Sequence, residues 1–387
     1  MKLPLNYNLR SVVVRWRSTG STIACIALVV AVYVLVQALA VGLEKASANT
    51  GDPRNLLVVR KGATAESTSQ ITPEQYRIIR ALEEVEKTTE GRPVASGDLC
   101  LVINVPRIDV GEANAIVRGV SPQGKELRPQ VELVDGRWFR PGMREAVVSK
   151  RLSGRLKNMQ IGDRFKVGGA GELTVVGHFT GQRSAFDSEI WIDADESRSM
   201  FDRENYSSVL LRPVDDAARE RLVTKLDADK RFKLRAISET AYYSEQTKAA
   251  GPIRNLGNFL AITMSIGAVF AAMNTMYATV SARTREIGTL RVLGYRRKSI
   301  LAGFLIEGAI LAFLGGVLGC LLALPMNGYS TGTMSFDTFG ESVFDFRITP
   351  MLALQGIAFA VVIGLLGSLL PAIRAARLPV ISALKSV

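Results

Sequence analysis

Four runs of the chain, residues 22–43, 256–282, 300–324 and 351–373, hold one charged side chain among them, Glu307. Crossing a bilayer as a helix takes roughly 20 apolar residues, and each run meets that length. With no water in the bilayer core, the backbone polar groups must be satisfied within each run, so helices are the form they take. The expectation is an α-helical integral membrane protein with four transmembrane helices and one large segment, 44–255, between the first two. A cleaved secretory signal is the alternative for the first run, because Arg10, Arg15 and Arg17 precede it and Ala46-Ser47-Ala48 has the form of a cleavage site. A signal core spans only about 7 to 15 apolar residues, so an uncleaved anchor is expected.

The formal net charge of +12 invites a nucleic-acid partner, but its distribution points elsewhere. The short pieces 1–21, 283–299 and 374–387 together carry 13 basic residues and one acid, Glu286. Segment 44–255 is nearly balanced, with 34 basic and 31 acidic residues, and the loop 325–350 sets Arg347 against Asp337, Glu341 and Asp345. Basic residues concentrate on the cytoplasmic side of a membrane. Both termini and 283–299 are therefore expected inside, and 44–255 and 325–350 outside. The positive excess then faces anionic membrane lipid, and no nucleic-acid partner is expected. Residues 1–21 suit an interfacial helix with Trp16 at the headgroups; an ordinary basic flank fits the composition equally.

Segment 44–255 has an internal plan. Residues 56–60 read as a strand, and Thr72-Pro73 as the cap and first position of a helix. Near the end, residues 208–213 read as a strand, 215–226 as a helix with Leu222, Val223 and Leu226 inward, and 232–237 as a second strand. Between these α/β units, residues 96–205 carry short strands at 100–105, 115–119, 145–149, 164–167, 173–177 and 189–192. The fold class is thus an α+β external domain, a β-rich insert inside an α/β frame. Residues 238–255 read as a helical stalk leading into the second span. Cys25 and Cys320 fall in spans, leaving Cys100 alone outside and expected as a buried thiol.

Chemistry-bearing motifs are sparse. Gly119 to Lys125 satisfies GxxxxGK, yet Glu126 follows where a phosphate loop needs a Ser or Thr hydroxyl for magnesium. His178 ends a strand with no cluster at metal-ligand spacing, and no catalytic constellation stands out. Within the spans, Gly315, Gly316, Gly319, Gly364 and Gly367 permit close helix packing, with dimer contact as the other reading. Asn274 suits an interhelical hydrogen bond. An intramembrane acid is costly and often functional; Glu307 is open to a structural pair with Arg296 or Arg297, or to a transport role. Residues 283–294 form a short helix with Ile287, Leu290, Val292 and Leu293 on one stripe, ended by Gly294.

Together these residues resemble a known family. Asn274-Thr275-Met276, the run Arg283-Thr284-Arg285-Glu286-Ile287-Gly288-Thr289-Leu290-Arg291-Val292-Leu293-Gly294, Glu307, Gly315-Gly316 and Leu370-Pro371-Ala372-Ile373-Arg374 are similar to the permeases of the MacB/LolC/FtsX class of ABC transporters. The segments Val117-Arg118-Gly119-Val120-Ser121-Pro122, Asp135-Gly136-Arg137-Trp138-Phe139, Glu145-Ala146-Val147-Val148-Ser149 and Ile161-Gly162-Asp163 resemble the MacB-type periplasmic core.

The resemblance implies a multi-pass subunit of the bacterial inner membrane, without catalytic activity of its own, whose external domain would have a porter-like α/β part and an inserted β-rich part. It would pair with a second copy or a paralogue as a dimer, and with a cytoplasmic ABC ATPase. Residues 283–299 would be the coupling helix, with Arg283, Arg285, Glu286, Ile287, Leu290, Arg291 and Gly294 at the ATPase contact. No cofactor is expected in this chain, ATP and magnesium belonging to the partner ATPase. Because about 20 residues precede the first span, that ATPase is expected to be a separate polypeptide, and a periplasmic adaptor protein is a further expected partner. The function implied is export or extraction by mechanotransmission, the alternative being an FtsX-like activator of a cell-wall hydrolase. A plain receptor or adhesin would leave the coupling helix unexplained.

Overall fold

The computed structural model describes residues 16–169, 171–229, 231–246, 250–334 and 341–379. Most of the 1–21 helix reading, and the tail beyond residue 379, lie outside these. The chain forms two compact units, one of residues 1–41, 251–329 and 345–387, the other of 42–250 with 330–344.

Helix α1 (Trp16–Ala48) opens the described chain. The second unit then forms a ten-stranded mixed sheet: β1 (Leu56–Arg60), β2 (Ala95–Pro106), β3 (Glu112–Val120), β4 (Glu132–Gly136), β5 (Glu145–Ser149), β6 (Arg164–Lys166), β7 (Glu172–Thr180), β8 (Glu189–Asp193), β9 (Ser208–Leu211) and β10 (Leu234–Ser238). Their spatial order is β10-β1-β9-β2-β3-β8-β5-β7-β4, with β6 on β7. Helices α2 (Pro73–Arg80), α3 (Lys150–Ser153), α4 (Ala194–Met200), α5 (Asp216–Ala228) and α6 (Glu239–Gln246) complete the unit.

Local chemistry sets these elements. Thr72 accepts from the Gln75 N–H and Gln75 reaches back to Thr72, closing a capping box ahead of Pro73. Asp215 caps α5 through the Ala218 N–H, and Leu222 and Leu226 are buried beneath it while Val223 packs at the edge. Strand β1 is apolar at four successive positions because both its faces are covered. Leu56 and Val58 join the cluster under α5, and Leu57 and Val59 join an aromatic cluster with Phe179, Phe186 and Trp191.

The frame and the insert are less separate than the sequence suggests. In β2, Ala95 to Asp98 pair with β9, and Leu99 to Pro106 pair with β3. One strand therefore belongs to both parts, and the insert's strands continue the frame's sheet.

After α6 come α7 (Ala250–Ala282), α8 (Thr284–Val292) and α9 (Arg297–Ala323), then a small sheet of β11 (Ser330–Met334) and β12 (Glu341–Asp345), then α10 (Pro350–Arg377). Four stretches, Thr19–Ala48, Arg254–Ala282, Arg297–Met326 and Pro350–Arg377, are long and apolar enough to cross a membrane. Glycines let these helices touch backbone to side chain. A Cβ on Gly315 would lie 2.9 Å from Ile26, one on Gly319 2.6 Å from the Ala27 carbonyl, and one on Gly316 2.9 Å from Ala360. Gly364 abuts Ala312, and a Cβ on Gly367 would lie 2.7 Å from Ala272. Two polar contacts that the apolar runs concealed, Thr22 with Thr275 and Gln37 with Asn258, tie α1 to α7 at 2.6 Å each.

Candidate functional site

Helix α8 lies across the ends of three membrane helices. Ile287, 2% exposed, packs with Met276 and Val280 of α7, Ile300 and Phe304 of α9, and Ala372 and Ala375 of α10. A Schellman motif ends the helix: Tyr295 N–H donates to the Leu290 carbonyl and Gly294 N–H to that of Arg291, with Gly294 at φ +90°. The stripe expected on one face is divided. Ile287 points into the bundle, Leu290 and Arg291 are half-buried, and Val292 and Leu293 are 62% and 66% exposed. Arg285 and Glu286 are exposed beside them, as are Arg296, Arg297 and Lys298. The open part of α8 thus offers two adjacent apolar side chains ringed by charge.

Glu307 pairs with a different arginine from the one expected. Arg283 Nη1 donates to its Oε2 at 3.2 Å, with both side chains largely buried. Arg297 starts α9 and Glu307 lies ten positions on, about 15 Å along the axis at a helical rise of about 1.5 Å per residue. That exceeds the reach of the side chain, whereas the turn into α8 brings Arg283 back over α9. Asn274 is exposed on α7.

The external unit holds a buried charge network that the sequence reading missed. Arg118 on β3 donates to both Glu66 oxygens at 2.9 and 3.0 Å and to Glu189 on β8 at 2.8 Å. Its Nη1 lies 3.5 Å from Asp98 Oδ2, which receives Arg128 at 2.6 Å. Ser208 donates to Glu66, and Trp191 Nε1 to Glu189. Burial alone would raise the Glu66 carboxyl, but the Arg118 charge and hydrogen bonds, helped by Ser208, more than offset it and hold it at about 2. Cys100 is buried with Sγ 3.7 Å from Glu66, and burial pushes its thiol well up.

Known proteins account for both units. The FtsX-like permease C-terminal profile matches residues 258–380, and the MacB-like periplasmic core domain profile matches residues 19–229, more than half of the chain. The chain belongs to the MacB-like family of ABC transporter permeases. The macrolide export ATP-binding/permease protein MacB of Nitrobacter winogradskyi is 43% identical to this permease over 129 residues, 33% of this chain and 19% of its own. The pyoverdine export ATP-binding/permease protein PvdT of Pseudomonas syringae is 35% identical over 135 residues, 34% of this chain and 18% of its own. The permease therefore spans about a fifth of the length of these curated relatives. The ABC transporter permease YknZ of Bacillus subtilis is 25% identical over 292 residues, 71% of this chain and 70% of its own. Among solved structures, the periplasmic region of MacB from Actinobacillus actinomycetemcomitans aligns at 10% identity and TM-score 0.37, covering 52% of the permease and 94% of that chain.

Two sequence candidates take ordinary structural places in the permease. The GxxxxGK segment is the end of β3 followed by a 3₁₀ turn at Pro122–Gly124, and Lys125 Nζ stacks 4.9 Å over the Trp138 ring. His178 is buried on β7, its Nε2 2.8 Å from the Met159 carbonyl.

Proposed function

We propose that this permease is the transmembrane subunit of an export or extraction system. A separate cytoplasmic ATPase, using ATP and magnesium, acts on α8, and the movement is relayed to the external domain instead of opening a channel between the helices. The observation that carries the reading is α8 itself, anchored by Ile287 and Arg283 to the membrane bundle while presenting Val292 and Leu293 outward. A connector would have no reason to do both. The charge distribution supports cytoplasmic termini and an external 44–255. A second permease copy or paralogue would complete the assembly, and a periplasmic adaptor is a further partner of this reading. The FtsX-like match over 258–380 favours a second reading, in which the same motion activates a cell-wall hydrolase.

Orientation is tested by single cysteines at exposed positions. Glu126→Cys is expected to react with an impermeant reagent in intact cells, and Thr289→Cys only after the inner face is opened. Labelling of position 289 in intact cells would overturn both the topology and the role of α8. Lys125→Ala is expected to leave ATP hydrolysis by the assembled complex unchanged, since Glu126 stands where a magnesium-binding hydroxyl is required. A drop of about tenfold or more with assembly intact would reveal a nucleotide site in this chain.

A further inference from the structure

Two stretches of the external unit adjoin membrane helices in sequence: residues 49–55, which follow α1, and α6, which precedes α7. Glu239, the first residue of α6, joins them. Its buried Oε2 accepts from the Asp52 backbone N–H and from Asn55 Nδ2, each at 2.9 Å. Gly51 makes this approach possible, having φ +88° and no Cβ; one placed there would lie 2.8 Å from Glu239 Cγ.

Both stretches are fastened further into the unit. Thr50 Oγ1 accepts from the Ala185 N–H at 2.8 Å, and Asn55 Nδ2 also donates to the Leu127 carbonyl at 2.7 Å. On α6, the Tyr242 hydroxyl accepts from the Glu66 N–H at 2.8 Å, and Tyr243 meets Phe186 edge-on. Glu239 Oε1 lies 3.4 Å from Arg128 Nε. Arg128 leads through Asp98 to Arg118, and so to Glu66 and Glu189. A continuous buried chain of charges thus runs from the two membrane-adjoining stretches to β8. Well-packed apolar side chains generally stabilise such a site as well or better. What Glu239 adds is direction: one carboxyl oxygen holds the Asp52 backbone and the Asn55 side chain in a single alignment.

We propose that Glu239 is the positioning residue that clasps residues 49–55 to α6, so that displacement at the α1 and α7 ends reaches the sheet as one movement. This rests on the mechanotransmission reading and names the residues that would serve it. Without the clasp, the two stretches yield independently and the movement is absorbed before β1 and β9.

Glutamine separates this role from folding. Burial pushes the Glu239 carboxyl up, the Arg128 charge offsetting only part of the effect. Gln keeps an acceptor oxygen for Asp52 and Asn55 without a carboxylate charge.

The test uses the full chain assembled with its ATPase, spin-labelled at Glu126→Cys and Tyr329→Cys, with the label separation read before and after trapping with ATP and vanadate. Amide exchange of β1 and β9 is followed in parallel. The original protein and Glu239→Gln are expected to show a nucleotide-dependent shift. Glu239→Ala and Gly51→Ala are expected to lose it while hydrolysing ATP and keeping β1 and β9 protected. A shift retained in both of the latter overturns the clasp. Loss of protection in both also overturns it, making Glu239 a folding element only. If the original protein shows no shift, mechanotransmission itself falls.

Discussion

Leu293→Ala is expected to weaken association with the cytoplasmic ATPase by roughly thirtyfold while the four membrane helices still form. The side chain is an exposed apolar group at the end of a helix whose opposite side is packed, and its neighbour Val292 doubles the patch. Truncating an apolar anchor that becomes buried on binding costs about 2 kcal/mol or more, which corresponds to that factor in affinity. Val292→Ala should act in the same direction. Glu286→Ala should have a smaller effect that grows as salt is lowered, since an exposed rim charge is screened by ions. Ile287→Ala provides the contrast: it opens a cavity against α7, α9 and α10, costing about 2 to 5 kcal/mol of stability, so the subunit itself becomes labile. Measuring ATPase co-purification for each variant decides the matter. Full assembly and activity in Leu293→Ala, Val292→Ala and their double variant would remove α8 as the point of contact.

Arg118→Leu is expected to destabilise the external domain by about 3 to 5 kcal/mol, because Glu66 and Glu189 are left buried without their cation. For a unit of this size that lowers the unfolding midpoint by about 6 to 20 °C. Adding Glu66→Leu and Glu189→Leu should recover most of the loss, since the cost lies in the stranded charges. Acid sharpens the test. The Glu66 carboxyl is held at about 2 against an ordinary 4.5, so its contribution is complete above pH 4.5 and is lost as pH falls from 4.5 toward 2. In Arg118→Leu the remaining burial raises that carboxyl above 4.5 instead, so the variant is relieved as pH falls to 4.5 and no further, while the original protein weakens only below 4.5. The gap in unfolding midpoint should therefore narrow below pH 4.5. A constant gap across that range would show that Glu66 owes its ionisation to something other than Arg118.

Local features of this chain were readable, and distant pairings were not. The Thr72-Pro73 start and the Gly294 stop each depend on residues within one turn, and both stand as expected; the helix read from residue 215 begins just after it, on the Asp215 cap. β4 escaped notice because Glu132 to Gly136 is mostly exposed and has no apolar alternation to announce it. The charge network joins Glu66, Asp98, Arg118, Arg128, Glu189 and Glu239 from separate elements, and no spacing rule links them. One trace was available: Arg118 sits between Val117 and Gly119-Val120 at an otherwise apolar end of β3 where all four positions are buried, and an unpaired charge there is prohibitive. Glu307 was legible as costly and in need of a cation, but choosing Arg283 required knowing that the chain folds back after α7.

Strand β1 has a history implied by its neighbours. Residues 56–58 pair with 209–211 on one edge and 56–60 with 234–238 on the other, whereas the pairs among β3, β5, β7 and β8 all fall between residues 116 and 193. During synthesis the far half of the sheet has its partners well before the near half does. β1 must wait with both edges bare until residues 209–211 are made, and with one edge bare until the ribosome has passed residue 238; bare edges recruit foreign strands. Maturation of this protein is therefore most exposed to misassembly before its second membrane helix has been made.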